Sequence, residues 1–218
     1  LGNHKAVYTQ FPGSVPAAAA IVKDKCKHFT DGSCSACVEA CAFEAINFED
    51  KDEEVAVKAG AIILATGFDQ PDPKELASLG AGKIPNVLTM AQFERYASSN
   101  GPTGGVVSLA NGEEPKSVAV IHCAGSLCKD GLPYCSGICC MNAIKAGEML
   151  RKKYPNIKVY NIHNRLVLNT PALEQFYNHQ AKVGTTFLQT SDLASINVAQ
   201  NNGTISVSAD GISKVEVD

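Results

Sequence analysis

The segment HCAGSLCKDGLPYCSGICCM, residues 122–141, constrains the chain more than any other, because it sets five of nine cysteines directly after a short β-branched run, SVAVI. The nine fall into two groups: Cys26, Cys34, Cys37 and Cys41, then Cys123, Cys128, Cys135, Cys139 and Cys140. An odd count without a secretion signal argues against a disulfide framework, because cytosolic thiols are kept reduced. Metal or redox chemistry is the expected use.

Composition excludes several other uses. At 218 residues, 45% hydrophobic and 19% charged, the chain can build a core in one or two domains. A net charge of −3 gives no basic field for nucleic acid or an anionic membrane. No apolar run approaches the ~20 residues that span a bilayer, and LGNHKAVYTQFPG lacks the charged and apolar regions of a leader. A soluble, cytoplasmic protein is expected.

The first group reads C-x7-C-x2-C-x3-C. Its C-x2-C-x3-C part lets thiolates from one tight turn converge, and the fourth ligand arrives from the preceding loop. The pattern resembles half of a bacterial ferredoxin, which holds a [4Fe–4S] cluster, although the first gap is longer and Ala42 stands where Pro is usual. The flanking runs AAIV and AINFE read as short bracketing strands. Tetrahedral zinc also suits four thiolates, and unligated thiols are the third reading.

The second group reads C-x4-C-x6-C-x3-C-C. Adjacent cysteines are unusual around zinc, since neighbouring side chains point apart on a regular backbone. At the mouth of a helix, Cys135 and Cys139 are expected one turn apart on one face, where the N-terminus favours thiolates and negative charge. The alternative is a buried cluster of free thiols.

The flanking sequence predicts a βαβ unit. KSVAVIHCAGS reads as a strand ending at Gly125. SGICCMNAIKAGEMLRKKYP reads as a helix with apolar Ile138, Met141, Ile144 and Met149 and a stop at Pro155, and NIKVYNIH as the next strand. The unit has the size of a dinucleotide fold, yet its turn lacks G-x-G-x-x-G, and His163 and Asn164 stand where a ribose-binding acid would. Nicotinamide is therefore disfavoured at this turn. TPALEQFYNHQAKVG predicts a further helix, TTFLQT a strand, and SINVAQNNGTISVSADG a hairpin about Asn-Gly. GPTGG and EDKDEE read as turns. His122 is placed to hydrogen-bond a cluster sulfur; His4, His28, His163 and His179 read as surface or loop residues.

Upstream, VKAGAIILATGFDQPDP reads as a buried strand ending in Ala65-Thr66-Gly67. It is similar to the ATG segment that closes the flavin domain of two-domain flavin disulfide reductases. Together with VYTQFPGSVP, the first cysteine group, IPNVLTMAQFERYASSNGPTGG, EEPKSVAVIHCAGS and YCSGICCMNAIKAGEMLRKKYP, in this order, the chain resembles the A-subunit family of heterodisulfide reductases. That family includes related flavoprotein subunits of the quinone-interacting membrane-bound oxidoreductase complex. The resemblance covers about residues 6–190.

The resemblance implies an α/β, thioredoxin-reductase-like fold: a degenerate dinucleotide-binding domain plus part of the flavin domain, with a small ferredoxin-like insertion. Residues 1–57 would end a flavin-domain segment and carry the insertion, 58–115 hold its closing strand and connection, and 116–218 form the degenerate Rossmann-like domain. It implies up to two [4Fe–4S] clusters, on Cys26, Cys34, Cys37 and Cys41 and on Cys123, Cys135, Cys139 and Cys140. Cys128 lies outside the family's pattern, and Leu127 replaces a common Arg. Thr66, Gly67 and Lys145 would face FAD, with Lys145 equally readable as a solvated helix lysine.

The implied function is electron transfer, relayed or bifurcated between FAD and clusters, beside the other subunits of such a complex and with no catalytic side chain of its own. A complete flavin domain also needs a G-x-G-x-x-G turn upstream and a Gly-Asp pair downstream. The chain is accordingly expected to be an internal piece of a longer protein, binding FAD weakly or not at all alone and inactive by itself. A zinc-stabilised or metal-free interaction module is the rival from another class. An NAD(P)H-dependent flavin disulfide reductase is disfavoured, because only Cys123 and Cys128 have a suitable spacing, and in the wrong place.

Overall fold

The structure, a computed structural model, describes residues 6–9, 18–51, 53–70, 72, 75–99, 101–127 and 131–218. Cys128, His4, Asp52 and residues 10–16 of the VYTQFPGSVP segment lie outside the described residues. The chain divides into two compact units, Leu1–Asp69 and Gln70–Asp218.

In the first unit, β1 (Val7–Thr9) pairs antiparallel with β2 (Ala19–Ile21). Two one-turn helices follow, α1 (Lys27–Asp31) and α2 (Ala36–Ala40). The AAIV run thus forms a strand as expected, but its partner is β1; the AINFE run, residues 45–49, is not a strand. Residues 61–69 correct the sequence reading further. The expected buried strand has no regular secondary structure, and Ile62, Ile63 and Leu64 are 82%, 90% and 85% exposed. Apolar β-type residues favour a strand only where another strand completes the ladder and a layer covers the face, and the described residues supply neither.

The second unit is mixed α/β. β3 (Ser117–Ile121), β4 (Lys158–His163) and β5 (Thr185–Gln189) form a parallel sheet in the order β3-β4-β5. α4 (Cys139–Lys153) connects the first pair and α5 (Pro171–Lys182) the second. β6 (Asn197–Asn201), β7 (Thr204–Ser208) and β8 (Val215–Val217) form an antiparallel meander. Its first turn has Asn202 at φ 48° and Gly203 at φ 87°, the two left-handed positions that an Asn-Gly hairpin turn requires. A shorter helix, α3 (Met90–Ala97), opens with a capping box: Gln92 N–H donates to Thr89 Oγ1 at 3.2 Å and Thr89 N–H to Gln92 Oε1 at 2.8 Å.

Strand alternation divides the core in two. Ala119, Ile121, Tyr160, Ile162 and Leu188 pack with Ile205, Val207, Val215 and Val217 of the meander. On the opposite face Val118 and Val159 pack with Leu150, Tyr154 and Ile157. The parallel sheet is therefore covered by α4 on one side and the meander on the other. α4 lies close: a Cβ on Gly147 would stand 2.8 Å from Val159 Cγ1. Its buried residues are Cys140, Ala143, Ile144, Ala146, Gly147 and Leu150, while Ile138 and Met149 are exposed. The expected helix is correct; of the apolar residues that marked it Ile144 faces inward, and small Gly147 lets the helix approach the sheet.

Candidate cysteine centre

β3 ends at Ile121, four residues before the expected stop, and the chain turns at once. Cys123 has φ 56° and Leu127 φ 55°, left-handed values that cost a non-glycine residue backbone strain. Ser126 N–H donates to the Cys123 carbonyl at 2.9 Å, and Leu132 N–H to the Gly125 carbonyl at 3.0 Å, tying the two halves of the loop together. Cys139 and Cys140 are the first two residues of α4. Cys135 is not on the helix; it lies in the preceding loop, since Gly137 at φ 76° turns the chain before the helix starts. The shared helical face expected for Cys135 and Cys139 is thus replaced by a loop approach to the helix mouth.

Cys123 and Cys140 each lie within reach of Cys139. Hydrogen bonds from Cys123 and Cys140, then from Ser136, hold the Cys139 pKa far below the ordinary thiol range. The same bonds, with burial, push Cys123 and Cys140 far above it. The N-terminus of a 15-residue helix favours negative charge at this point. Backbone amides add support: Gly137 N–H to Cys135 Sγ at 3.3 Å and Val167 N–H to Cys140 Sγ at 3.5 Å.

Behind this site the sheet carries buried polar side chains, of which the sequence had marked His122 alone. His122 is buried, with Nε2 2.8 Å from Asn161 Oδ1, and burial lowers its pKa. His163, expected at the surface, is also buried, its ring centre 6.0 Å from that of His122; burial and then His122 lower its pKa. The available signal was a pair of polar residues at alternate positions in an otherwise apolar strand, NIKVYNIH.

The first group is built from local chain. Cys26 precedes α1 and is buried, Cys34 and Cys37 lie before and within α2, and Cys41 ends it. Ala45 N–H donates to Cys41 Sγ at 3.4 Å; with the Phe43 amide this lowers the Cys41 pKa. His28, which sequence placed in an ordinary loop, stacks on Phe48 at 3.6 Å, and its Nδ1 donates to the Cys34 carbonyl at 3.3 Å. Among the described residues, no three His, Cys, Asp or Glu side chains are set around one point as a site for a metal ion. Thr66 and Gly67 are exposed, with Gly67 at φ 81°, and Lys145 lies on the exposed side of α4. No helix among the described residues is long and apolar enough to cross a membrane.

No family model matches the chain. It is 38% identical over 192 residues to the A subunit of H2:CoB-CoM heterodisulfide,ferredoxin reductase of Methanothermobacter thermautotrophicus, covering 87% of this chain and 28% of that protein. It is 38% identical over 191 residues to the A subunit of ferredoxin/F420H2-dependent CoB-CoM heterodisulfide reductase of Methanosarcina acetivorans, covering 87% and 24%. The iron-sulfur A subunit of CoB-CoM heterodisulfide reductase of Methanocaldococcus jannaschii is 34% identical over 192 residues, at 87% and 28%. The chain spans about a quarter of the length of these curated relatives. With 34–38% identity over 87% of its length, the chain belongs to the A-subunit family of heterodisulfide reductases.

Proposed function

We propose that the chain is an electron-transfer part of a heterodisulfide reductase-type oxidoreductase, in which Cys123, Cys135, Cys139 and Cys140 hold a [4Fe–4S] cluster. The observation that carries this reading is the placing of Cys139 and Cys140 at the first turn of α4, with Gly137 N–H on Cys135 Sγ at 3.3 Å and Val167 N–H on Cys140 Sγ at 3.5 Å. The donor set fits such a group: four sulfurs, amide donors to Cys135 and Cys140, and a helix N-terminus that favours negative charge. When bound, the cluster supplies one-electron chemistry. The chain's own residues hold it, exclude water through the buried Cys140 side, and bias its charge through hydrogen bonds.

Cys26, Cys34, Cys37 and Cys41 are assigned on the same reading to a second cluster, in a ferredoxin-like segment of residues 1–57. Residues 58–115 are assigned to the close of a flavin domain and 116–218 to a thioredoxin-reductase-like nucleotide domain that has lost its glycine turn. FAD belongs to the longer protein, with Thr66, Gly67 and Lys145 as the residues toward it, and electrons are relayed or bifurcated there. The relatives' names support this: one is called iron-sulfur, and others name ferredoxin and a CoB-CoM heterodisulfide. Partner subunits of a heterodisulfide reductase-like or quinone-interacting complex, in the cytoplasm, complete the proposal.

The test is iron and acid-labile sulfide per chain, with a visible spectrum, on anaerobically prepared protein. About eight of each and broad brown absorption support two [4Fe–4S] clusters. Stoichiometric zinc without iron after anaerobic reconstitution contradicts the proposal and favours a zinc-stabilised interaction module.

A further inference from the structure

Open parallel sheets bind ligands outside the carboxyl ends of their strands. β3 leads into the cysteine turn, whereas β4 and β5 end, at His163 and Gln189, beside a second feature. A cavity of about 470 Å³, open to solvent, is lined there by Asn164, Arg165, Gln189, Thr190, Ser191 and Gly211. All but Gly211 are polar, and none belongs to the cysteine centre. Such a lining suits a hydrophilic ligand, since an apolar one would leave these groups without partners.

The walls are held by their own hydrogen bonds. Thr190 N–H donates to the His163 carbonyl at 2.8 Å, and Thr190 Oγ1 lies 3.0 Å from the Asp192 carbonyl and 2.9 Å from that of Asp210. Asn164 Nδ2 donates to the Thr190 and Ser191 carbonyls at 3.0 and 3.1 Å, and Gln189 Nε2 to the Asn164 carbonyl at 2.8 Å. These bonds tie the loops after β4 and β5 to each other and to the loop between β7 and β8. They also fix the chemistry on offer: both amides commit N–H groups to backbone carbonyls, so their side-chain oxygens remain as acceptors. Gly211, at φ 79°, adds no side chain, and a Cβ there would stand 3.9 Å from the Gln189 carbonyl oxygen.

Arg165 supplies the charge. It is exposed and has no ion-pair partner among the described residues. Neither Asp192 nor Asp210, the acids next in sequence to Ser191 and Gly211, lines the cavity. A guanidinium binds phosphate through two parallel N–H bonds. Ser191 adds a hydroxyl, and the amide oxygens of Asn164 and Gln189 suit the hydroxyl groups of a sugar. The β3 turn, with cysteines in place of glycines, has no seat for a pyrophosphate, so a single phosphate ester fits better than a dinucleotide.

We infer that the carboxyl ends of β4 and β5 form a sugar-phosphate site, in which Arg165 binds the phosphate and Asn164 and Gln189 accept from the sugar hydroxyls. The site stands apart from the cysteine centre and does not depend on the cluster reading.

The test is an amide NMR titration of the isotope-labelled full chain with ribose-5-phosphate, with ribose and with sodium sulfate. Ribose-5-phosphate is expected to move the amides of residues 164–165, 189–191 and 211 in a saturable way, and the other two to bind about tenfold more weakly or less. Arg165→Gln is expected to raise the Kd for ribose-5-phosphate about tenfold or more, the loss of a charge-assisted pair. Arg165→Lys, which keeps the charge, should recover part of that. Both variants replace an exposed side chain, and their own amide spectra report whether they are folded. The inference is overturned by the absence of a saturable shift at these amides, or by a Kd unchanged in folded Arg165→Gln. It is equally overturned if ribose binds as tightly as its phosphate, or if sulfate does, which would mean an adventitious anion only.

Discussion

Among the described residues of 6–69, Cys26 is the one buried residue, whereas Cys140 lies in a unit with two buried apolar clusters. The first cysteine group is shaped by two five-residue helices and a His28–Phe48 stack. The second is shaped by the end of a parallel sheet and a helix seated on it. The difference teaches that similar numbers of thiols can be placed by two means. In the first, short local turns alone set the spacing of the cysteines; in the second, a buried core fixes the backbone from which they project.

Removing the metal should break this comparison most visibly. In iron-free chain, amides of residues 26–48 are expected to exchange with deuterium at near-unfolded rates, an opening free energy of ~0–1 kcal/mol. Amides of β3, β4 and α4 should stay protected by about 5 kcal/mol or more. Equal protection in both units would contradict the distinction. The next largest effect concerns apolar residues of the two units: Ile144→Ala, at 1% exposure, should cost about 2–5 kcal/mol in urea unfolding. Ile63→Ala, at 90% exposure, should stay within about 0.5 kcal/mol.

Gly147→Val tests the helix-to-sheet approach that seats the second group. Its new Cβ would meet Val159 Cγ1 at 2.8 Å, and about 1–3 kcal/mol of destabilisation is expected. A neutral effect would mean that α4 is free to shift. The smallest expected effect is a pH dependence confined to the second unit. Burial holds the His163 pKa below its ordinary 6.5, so the unfolded state binds more protons in that window and stability rises with pH. The contribution is present above pH 6.5 and is lost as pH falls through the folded-state pKa. His163→Phe should flatten this slope in urea midpoints measured from pH 7.5 down to 5.5.

Much of the second unit was legible because its signals are local. β-branched runs, Pro171 at a helix start, Gly184 past its end and the Asn202-Gly203 turn each act through backbone preference. The cysteine spacing likewise reports a loop that can converge. What escaped depends on partners. AIILA, residues 61–65, reads much like SVAVI, residues 117–121, yet only the second has a strand beside it. The place of Gly147 on the inward face of α4 was not legible, because its proximity to Val159 is not encoded by hydrophobicity alone. Asn161 and His163 were not expected in the interior because a polar residue in a strand normally faces water, and the pairing of Asn161 with His122 and of His163 with Phe187 comes from the fold.

The most direct measurement is iron and acid-labile sulfide on the full chain carrying Cys34→Ser and Cys37→Ser, reconstituted anaerobically. About four of each per chain, lost on further substitution of Cys139, is the expected result for a [4Fe–4S] cluster at the mouth of α4. No iron, or iron retained without Cys139, would contradict it.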